Sequence, residues 1–287
     1  MTRPTKRSVA RPSGRAGVAR HPEQQLRKAD VIAYYAAVSE RMLPQIASRP
    51  LTLVPRPNGA GTHDVVERIA IAESDETTDY MMVRDLKGLL ALPQLGVLEI
   101  HVWGCHSPKI EQPDKLVFDL DPDPAVAWDA VIEAAIELRS RLNDLGLTSF
   151  AQTTGGKGLH VVAPLTPRLS WDEHKEMSRL IASAMADDHP KQYSINQRKN
   201  LRKGRVFLDY LRNGRGAMAI APYSTRAHAT ATVAAPITWD ELMAGAQPSD
   251  FTLRSMMKRI SKDATDPWAG YAELKQRLGK AALRTLR

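Results

Sequence analysis

Two hydrophobic periods alternate along the chain, and together they predict its elements. Across residues 26–47, Val31, Tyr34, Tyr35, Val38, Met42 and Leu43 return at the spacing of one helix face, and Arg49-Pro50 closes the segment. This predicts an amphipathic helix packed on a sheet. Residues 51–54 read as a strand ended by Pro55 and Pro57, with a turn at Asn58-Gly59. Further strands are expected at 66–72, 79–83 and 97–102, with a helix over 85–90 among them. Val131, Ala135, Leu138, Leu142 and Leu145 mark one face of a helix over 128–145 that Gly146 stops, and a strand at 148–153 follows. Ser170-Trp-Asp-Glu173 is a capping box that opens a helix burying Met177, Leu180, Ile181 and Met185, and Thr238-Trp-Asp-Glu241 repeats the device. A strand is expected at 205–211, and the polar region from Asp250 is expected to be helical, ending in a basic tail. Strands and helices alternate without a strict βαβ rhythm, and several strands follow one another directly. That order predicts an α/β or α+β fold, a mixed central sheet flanked by helices.

Composition changes this picture little. A chain of 287 residues with ordinary apolar content can bury a substantial core. The formal charge of +8 suggests a polyanionic partner, but Arg3, Lys6, Arg7, Arg11, Arg15 and Arg20 carry six of those charges. Residues 1–22, which lack an apolar run and are rich in Pro, Gly and Ser, therefore read as a basic, disordered tail, with the globular body over 23–268 and a basic C-terminal helix or tail over 269–287. No stretch has the length of an apolar membrane span, no secretory apolar segment follows the first Met, and Cys105 stands alone. A cytoplasmic protein is the expectation.

The candidate chemistry lies in three stretches. Lys115-Leu-Val-Phe-Asp-Leu-Asp-Pro122 delivers Asp119 and Asp121 two residues apart on a strand, hence on one face and close enough to share a hard cation. An exposed Asp-Pro turn is the competing account. Thr154-Gly-Gly-Lys-Gly-Leu-His160 places three glycines beside Lys157 and His160, so backbone N–H groups and a point charge can meet a phosphate. It is not a Walker A loop, and an ordinary glycine-rich hairpin turn fits it as well. Asp209, within Val206-Phe-Leu-Asp-Tyr-Leu211, is costly among apolar residues unless a metal or an arginine partners it. Just before it, residues 198–205 carry five basic side chains in eight, a solvated face or a contact for a nucleic-acid backbone. Three carboxylates able to hold two divalent ions, beside a Gly-Lys-His element able to hold a triphosphate, form the equipment of two-metal nucleotidyl transfer.

With Gly96-Val-Leu-Glu-Ile-His101-Val-Trp, Gly204-Arg-Val-Phe-Leu-Asp-Tyr-Leu-Arg-Asn213 and Ala221-Pro-Tyr-Ser-Thr-Arg226 added, the set of motifs resembles the polymerase domain of bacterial ATP-dependent DNA ligase D, in the archaeo-eukaryotic primase superfamily. The resemblance runs in order over residues 30–268. It implies a primase-like catalytic core and a metal-dependent polymerase of non-homologous end joining that fills gaps or extends ends at DNA ends or gapped duplex. Ku and an ATP-dependent DNA ligase would be its partners, and two Mn²⁺ or Mg²⁺ ions its cofactors. Carried over by motif, Asp119, Asp121 and Asp209 would ligate metal. Thr154, where Ser is frequent in the family, would hold the nucleoside triphosphate with Lys157, His160 and Arg226, and His101 would belong to the active centre.

The chain also departs from the family. Where relatives commonly carry an aromatic-rich Phe-Phe-Gln-Lys segment implicated in DNA contacts, residues 58–68 hold no aromatic and no lysine, with Arg68 as the one candidate substitute. No ligase or nuclease motif follows. A DNA-end-binding paralogue of weak or no catalytic activity, acting as a repair scaffold, is the alternative reading, and a nuclease built on the same carboxylates is a third.

Overall fold

A computed structural model describes residues 26–54, 66–73, 76–228, 230–261 and 265–278. The predicted tail at 1–22, most of the departure at 58–68 and the last nine residues lie outside them.

The apolar spacing in residues 26–47 forms α1 (Lys28–Ile46), which buries Val31, Tyr34, Tyr35, Val38, Met42 and Ile46. After it come β1 (Leu51–Val54), β2 (Glu67–Ala72), β3 (Thr77–Met82), α2 (Leu86–Gln94) and β4 (Glu99–Trp103). The central stretch is β5 (Lys115–Pro122), followed by α3 (Trp128–Asp144), β6 (Phe150–Thr153), β7 (Leu159–Pro164) and α4 (Trp171–Asp188). The chain then forms β8 (Tyr193–Ser194), β9 (Val206–Asp209), β10 (Met218–Ile220), β11 (Pro236–Ile237), α5 (Trp239–Met243) and α6 (Leu253–Ile260). Both predicted capping boxes are formed. Ser170 and Thr238 accept from the backbone of Glu173 and Glu241, whose carboxylates reach back to the cap residues.

The strands form two sheets. One, of order β10-β4-β1-β3-β2, is antiparallel; the other, of order β11-β6-β7-β5-β9-β8, is mixed, its single parallel pair being β8 with β9. The predicted mixed sheet flanked by helices is thus present, with a second sheet beside it. Alternation along β5 explains how both faces of this strand are used. Leu116, Phe118 and Leu120 join the main core with Val131 and Leu138 of α3 and Met177 and Ile181 of α4. The opposite face carries Val117, Asp119 and Asp121. Val117 packs with Val162, Ala219, Trp268 and Tyr271, so an apolar floor lies beneath the carboxylates.

Two expectations change at their ends. The strand expected over 205–211 stops at Asp209, because Asp209 Oδ1 accepts the Leu211 N–H at 2.9 Å and turns the chain into a 3-10 turn at Leu211–Asn213. The helix expected from Asp250 is confined to Leu253–Ile260, where Thr252 supplies an N-cap. The described residues beyond it are turns and coil, yet they pack on the body. Trp268 Nε1 donates to Ala151 O at 2.9 Å, and Gln276 pairs with both backbone groups of Thr148. Among the described residues no helix is long and apolar enough to cross a membrane.

Candidate active site

Strand register gathers the carboxylates. Asp119 stands opposite His160 on β7 and opposite Asp209 on β9, and His160 stands opposite Gln152 on β6. Directly opposed residues of an antiparallel pair share a face. Gln152, His160, Asp119 and Asp209 therefore form one row across four strands, with Asp121 one step along β5.

The turn between β6 and β7 is the predicted glycine-rich element, and it is a hairpin turn organised by its own threonine. Thr154 Oγ1 accepts from the Gly156 and Gly158 N–H groups at 3.3 and 3.2 Å and donates to Gly158 O at 3.1 Å. A Cβ on Gly158 would stand 2.9 Å from Leu120 O and 3.3 Å from Asp119 Oδ1. Gly155 has φ +66°, and a Cβ there would meet Arg226 Cγ at 2.7 Å. The glycines let this turn lie against the carboxylates on one side and let Arg226 pass on the other.

Every carboxylate of the row has a cation beside it. Arg212 spans two of them, with Nη2 3.1 Å from Asp119 Oδ2 and Nε 3.4 Å from Asp209 Oδ2. Lys157 Nζ lies 3.0 Å from Asp121 Oδ1 and donates to Pro122 O at 2.9 Å. Arg202, from the basic run, reaches Asp121 Oδ2 at 3.6 Å while its guanidinium stacks 4.1 Å above the Phe207 ring. His160 Nε2 is 3.6 Å from Asp119 Oδ1. Burial works upward on the Asp119 pKa, but His160 and Arg212 outweigh it and hold the carboxyl below its ordinary value. Asp209 goes the other way: burial raises it, Arg212 pulls against that, and the Asp119 charge adds to it.

The facing sheet supplies the other wall. His101 on β4 gives Nε2 to Glu99 Oε2 at 2.9 Å, and Arg226 Nε lies 3.4 Å from Glu99 Oε1. The Arg226 segment is anchored from α1, where Tyr34 donates to Tyr223 O at 2.9 Å and Tyr35 shares a hydrogen bond with Thr225 at 3.0 Å. Ser224 Oγ accepts the Ile100 N–H at 2.8 Å, joining that segment to β4. The result is a cleft of about 370 Å³ lined by His101, Asp119, Asp121, Thr154, Lys157, His160 and Arg226, together with Arg212 and β10. Asp209, paired with Arg212, is not among its lining residues.

The residues singled out in the sequence are thus brought together across two sheets. Sequence reasoning missed Arg212, Glu99 and Asn213. Two signals were in view: Arg212 follows Asp209 by one turn, and Glu99 precedes His101 by two positions, on the same strand face. Asn213 carries no such signal. Its side-chain amide bonds Val117 N and O at 2.8 and 2.7 Å, as a strand would, and so fixes the turn bearing Arg212.

A family model described as "LigD, primase-polymerase domain" matches residues 27–268. The chain belongs to this family. It is 34% identical over 278 residues to the multifunctional non-homologous end joining protein LigD of Pseudomonas aeruginosa, a match covering 92% of this chain and 33% of that protein. It is also 30% identical over 244 residues to the bifunctional non-homologous end joining protein LigD of Bacillus subtilis, covering 82% and 40%. The chain therefore spans about a third of the length of such relatives. Its structure is similar to the polymerase domain of Mycobacterium tuberculosis ligase D solved in complex with DNA, with a TM-score of 0.82, 31% identity, and coverage of 91% of this chain and 97% of that one. As a LigD primase-polymerase domain the chain belongs to the DNA-directed nucleotidyltransferases, the enzyme class its motifs predict.

Proposed function

We propose that the chain extends primers by metal-dependent nucleotidyl transfer, filling gaps or extending ends at DNA breaks in bacterial non-homologous end joining. The observation that carries this reading is the cleft that brings Asp119 and Asp121 together with Lys157, His160, His101 and Arg226, with Asp209 opposite Asp119 in the strand register. The LigD relatives, named for non-homologous end joining, and the DNA-bound neighbour add support. The setting is the bacterial cytoplasm, with Ku and an ATP-dependent DNA ligase as partners.

The donor set suits hard divalent cations, since all three candidate ligands are carboxylates. Among the described residues no three acidic, histidine or cysteine side chains converge as they stand to hold one ion; arginine and lysine cations lie among them. Burial, with the Asp119 charge adding to it, raises the Asp209 pKa, and a bound cation would offset both. Asp119, Asp121 and Asp209 would hold Mn²⁺ or Mg²⁺. The chemistry such ions supply is activation of a primer hydroxyl and neutralisation of charge on leaving pyrophosphate. Arg226 presents a planar fork suited to phosphate oxygens, and Lys157 a point charge. His160 and the backbone of the Thr154 turn complete the triphosphate contacts, with His101 on the facing wall.

The test is primer extension on a gapped, 5′-phosphorylated duplex with Mn²⁺, offering each ribonucleotide and deoxynucleotide in turn. Template-matched addition is expected, reduced by at least about a hundredfold in Asp119→Ala and Asp209→Ala. Addition unchanged in both variants would overturn the assignment of the carboxylates, and no addition by the wild type would overturn the activity.

A further inference from the structure

We propose that Glu99 is a positioning residue for the nucleotide side of the cleft. Its two carboxylate oxygens are divided between His101 and Arg226, and they fix which ring nitrogen of His101 is left for the substrate and where the Arg226 guanidinium stands. The inference rests on the reading above that these two residues meet the triphosphate.

Glu99 and His101 lie two apart on β4 and share a face. Glu99 is buried, 7% exposed, and its carboxylate meets His101, Arg226 and the Ala227 N–H. Oε2 lies at hydrogen-bond distance, 2.9 Å, from His101 Nε2. Oε1 takes the Ala227 N–H at 2.8 Å and lies 3.4 Å from Arg226 Nε. That Arg226 nitrogen is itself buried and makes no aligned hydrogen bond, so charge and not hydrogen-bond geometry ties it to Glu99. Burial works upward on the Glu99 carboxyl, yet His101, the Ala227 N–H and Arg226 hold it down at about 2, so it stays ionised at working pH. A carboxylate only accepts. His101 must therefore keep a proton on Nε2, leaving Nδ1 as the nitrogen for a ligand. Carboxylates that orient a functional histidine in this way act through it.

Glutamine cannot replace this group silently. Whichever oxygen becomes an NH₂ then opposes a donor. At the Oε1 place it meets the Ala227 N–H and Arg226, neither of which can accept. At the Oε2 place it meets His101, which can accept only by moving its proton from Nε2 to Nδ1. Glu99→Gln should thus adopt the second arrangement, inverting the His101 tautomer and leaving Arg226 without its counter-charge. The anchors from Ser224, Tyr34 and Tyr35 do not involve Glu99, so the backbone around it is held independently.

The experiment uses the full chain labelled with ¹⁵N-histidine, with His101→Gln to assign the signal, and long-range ¹H–¹⁵N spectra to identify the protonated ring nitrogen. In parallel, the affinity for a fluorescent ATP analogue with Mn²⁺ is measured by anisotropy. The wild type should show Nε2 protonated. Glu99→Gln should move the proton to Nδ1 and weaken nucleotide binding by about tenfold, with the loss of extension appearing mainly in KM. A wild-type ring protonated on Nδ1 alone overturns the proposal without recourse to any variant. So does a Glu99→Gln protein with wild-type spectrum and affinity while His101→Ala and Arg226→Ala both weaken binding. If those two variants bind nucleotide normally, the reading of the cleft itself fails.

Discussion

Gly158 shows how much of this site depends on a missing side chain. Its Cα lies over the end of β5, and a methyl group there would press on Leu120 O and stand 3.3 Å from a carboxylate oxygen of Asp119. The neighbour that would have to move is the backbone of the strand bearing Asp119 and Asp121. Gly158→Ala is therefore expected to cost about 1–3 kcal/mol of stability. It should also lower primer extension by about 10- to 100-fold through displacement of the Asp119 carboxylate. Urea midpoints and kcat decide it, and wild-type values for both would show that the turn can retreat without disturbing Asp119. The sequence reveals the glycines and the acids separately. That one protects the other depends on the distance between a turn and a strand end, which no residue pattern specifies.

At the scale of elements, α1 does more than cover a sheet. Its helical spacing marks Tyr34 and Tyr35 as core positions, and both are fully buried. Burial raises both phenol pKa values, so the hydroxyls stay protonated and able to donate. Tyr34 holds Tyr223, a residue at φ +67°, and the Tyr35 hydroxyl accepts the Thr225 N–H at 3.2 Å just before Arg226. Tyr35→Phe leaves the Thr225 N–H buried without that partner, an expected loss of about 1–3 kcal/mol. Because Arg226 follows immediately, the KM for nucleotide should rise several-fold while kcat changes less. An unaltered denaturation midpoint with unaltered KM would show that Thr225 and Arg226 are held by other contacts. The apolar period predicts which face of α1 is buried. It does not distinguish a tyrosine that merely fills space from one whose hydroxyl anchors a segment almost two hundred residues away.

For the whole molecule, a largely buried charge cluster ties the segment before β1 to the segment before β5. Arg49, following α1, makes a bidentate pair with Asp114 at 2.7 Å on both arms, and His106 lies 3.2 Å from the same carboxylate. Next in the chain is Lys115, buried at the start of β5, whose carbonyl pairs with His174 of α4 at 2.9 Å. Burial, reinforced by Arg49 and opposed by Asp114, brings the Lys115 pKa down to about 7. Its folded value is thus below the unfolded value of about 10.4. Between those two limits the unfolded chain binds more protons, so the Lys115 contribution to stability improves as pH rises through that window, and its penalty is full below about 7. Lys115→Met should stabilise the protein at pH 6 by on the order of 2 kcal/mol or more, with the advantage over wild type shrinking toward pH 10. Urea midpoints of both proteins at the two pH values test this, and an advantage independent of pH would show that Lys115 is solvated in the fold. The sequence by itself determined what is local: helix faces from their period, caps from Ser170 and Thr238, strand alternation placing Asp119 beside Asp121, and a turn at the Thr154 glycines. These follow from backbone geometry over a few residues. Only the tertiary structure decided that β5 lies between β7 and β9, that Asp209 therefore faces Asp119, that Arg212 spans both, and that Glu99 joins His101 to Arg226. Those neighbours are chosen by burial and register between segments far apart in the chain, where local preference has no hold.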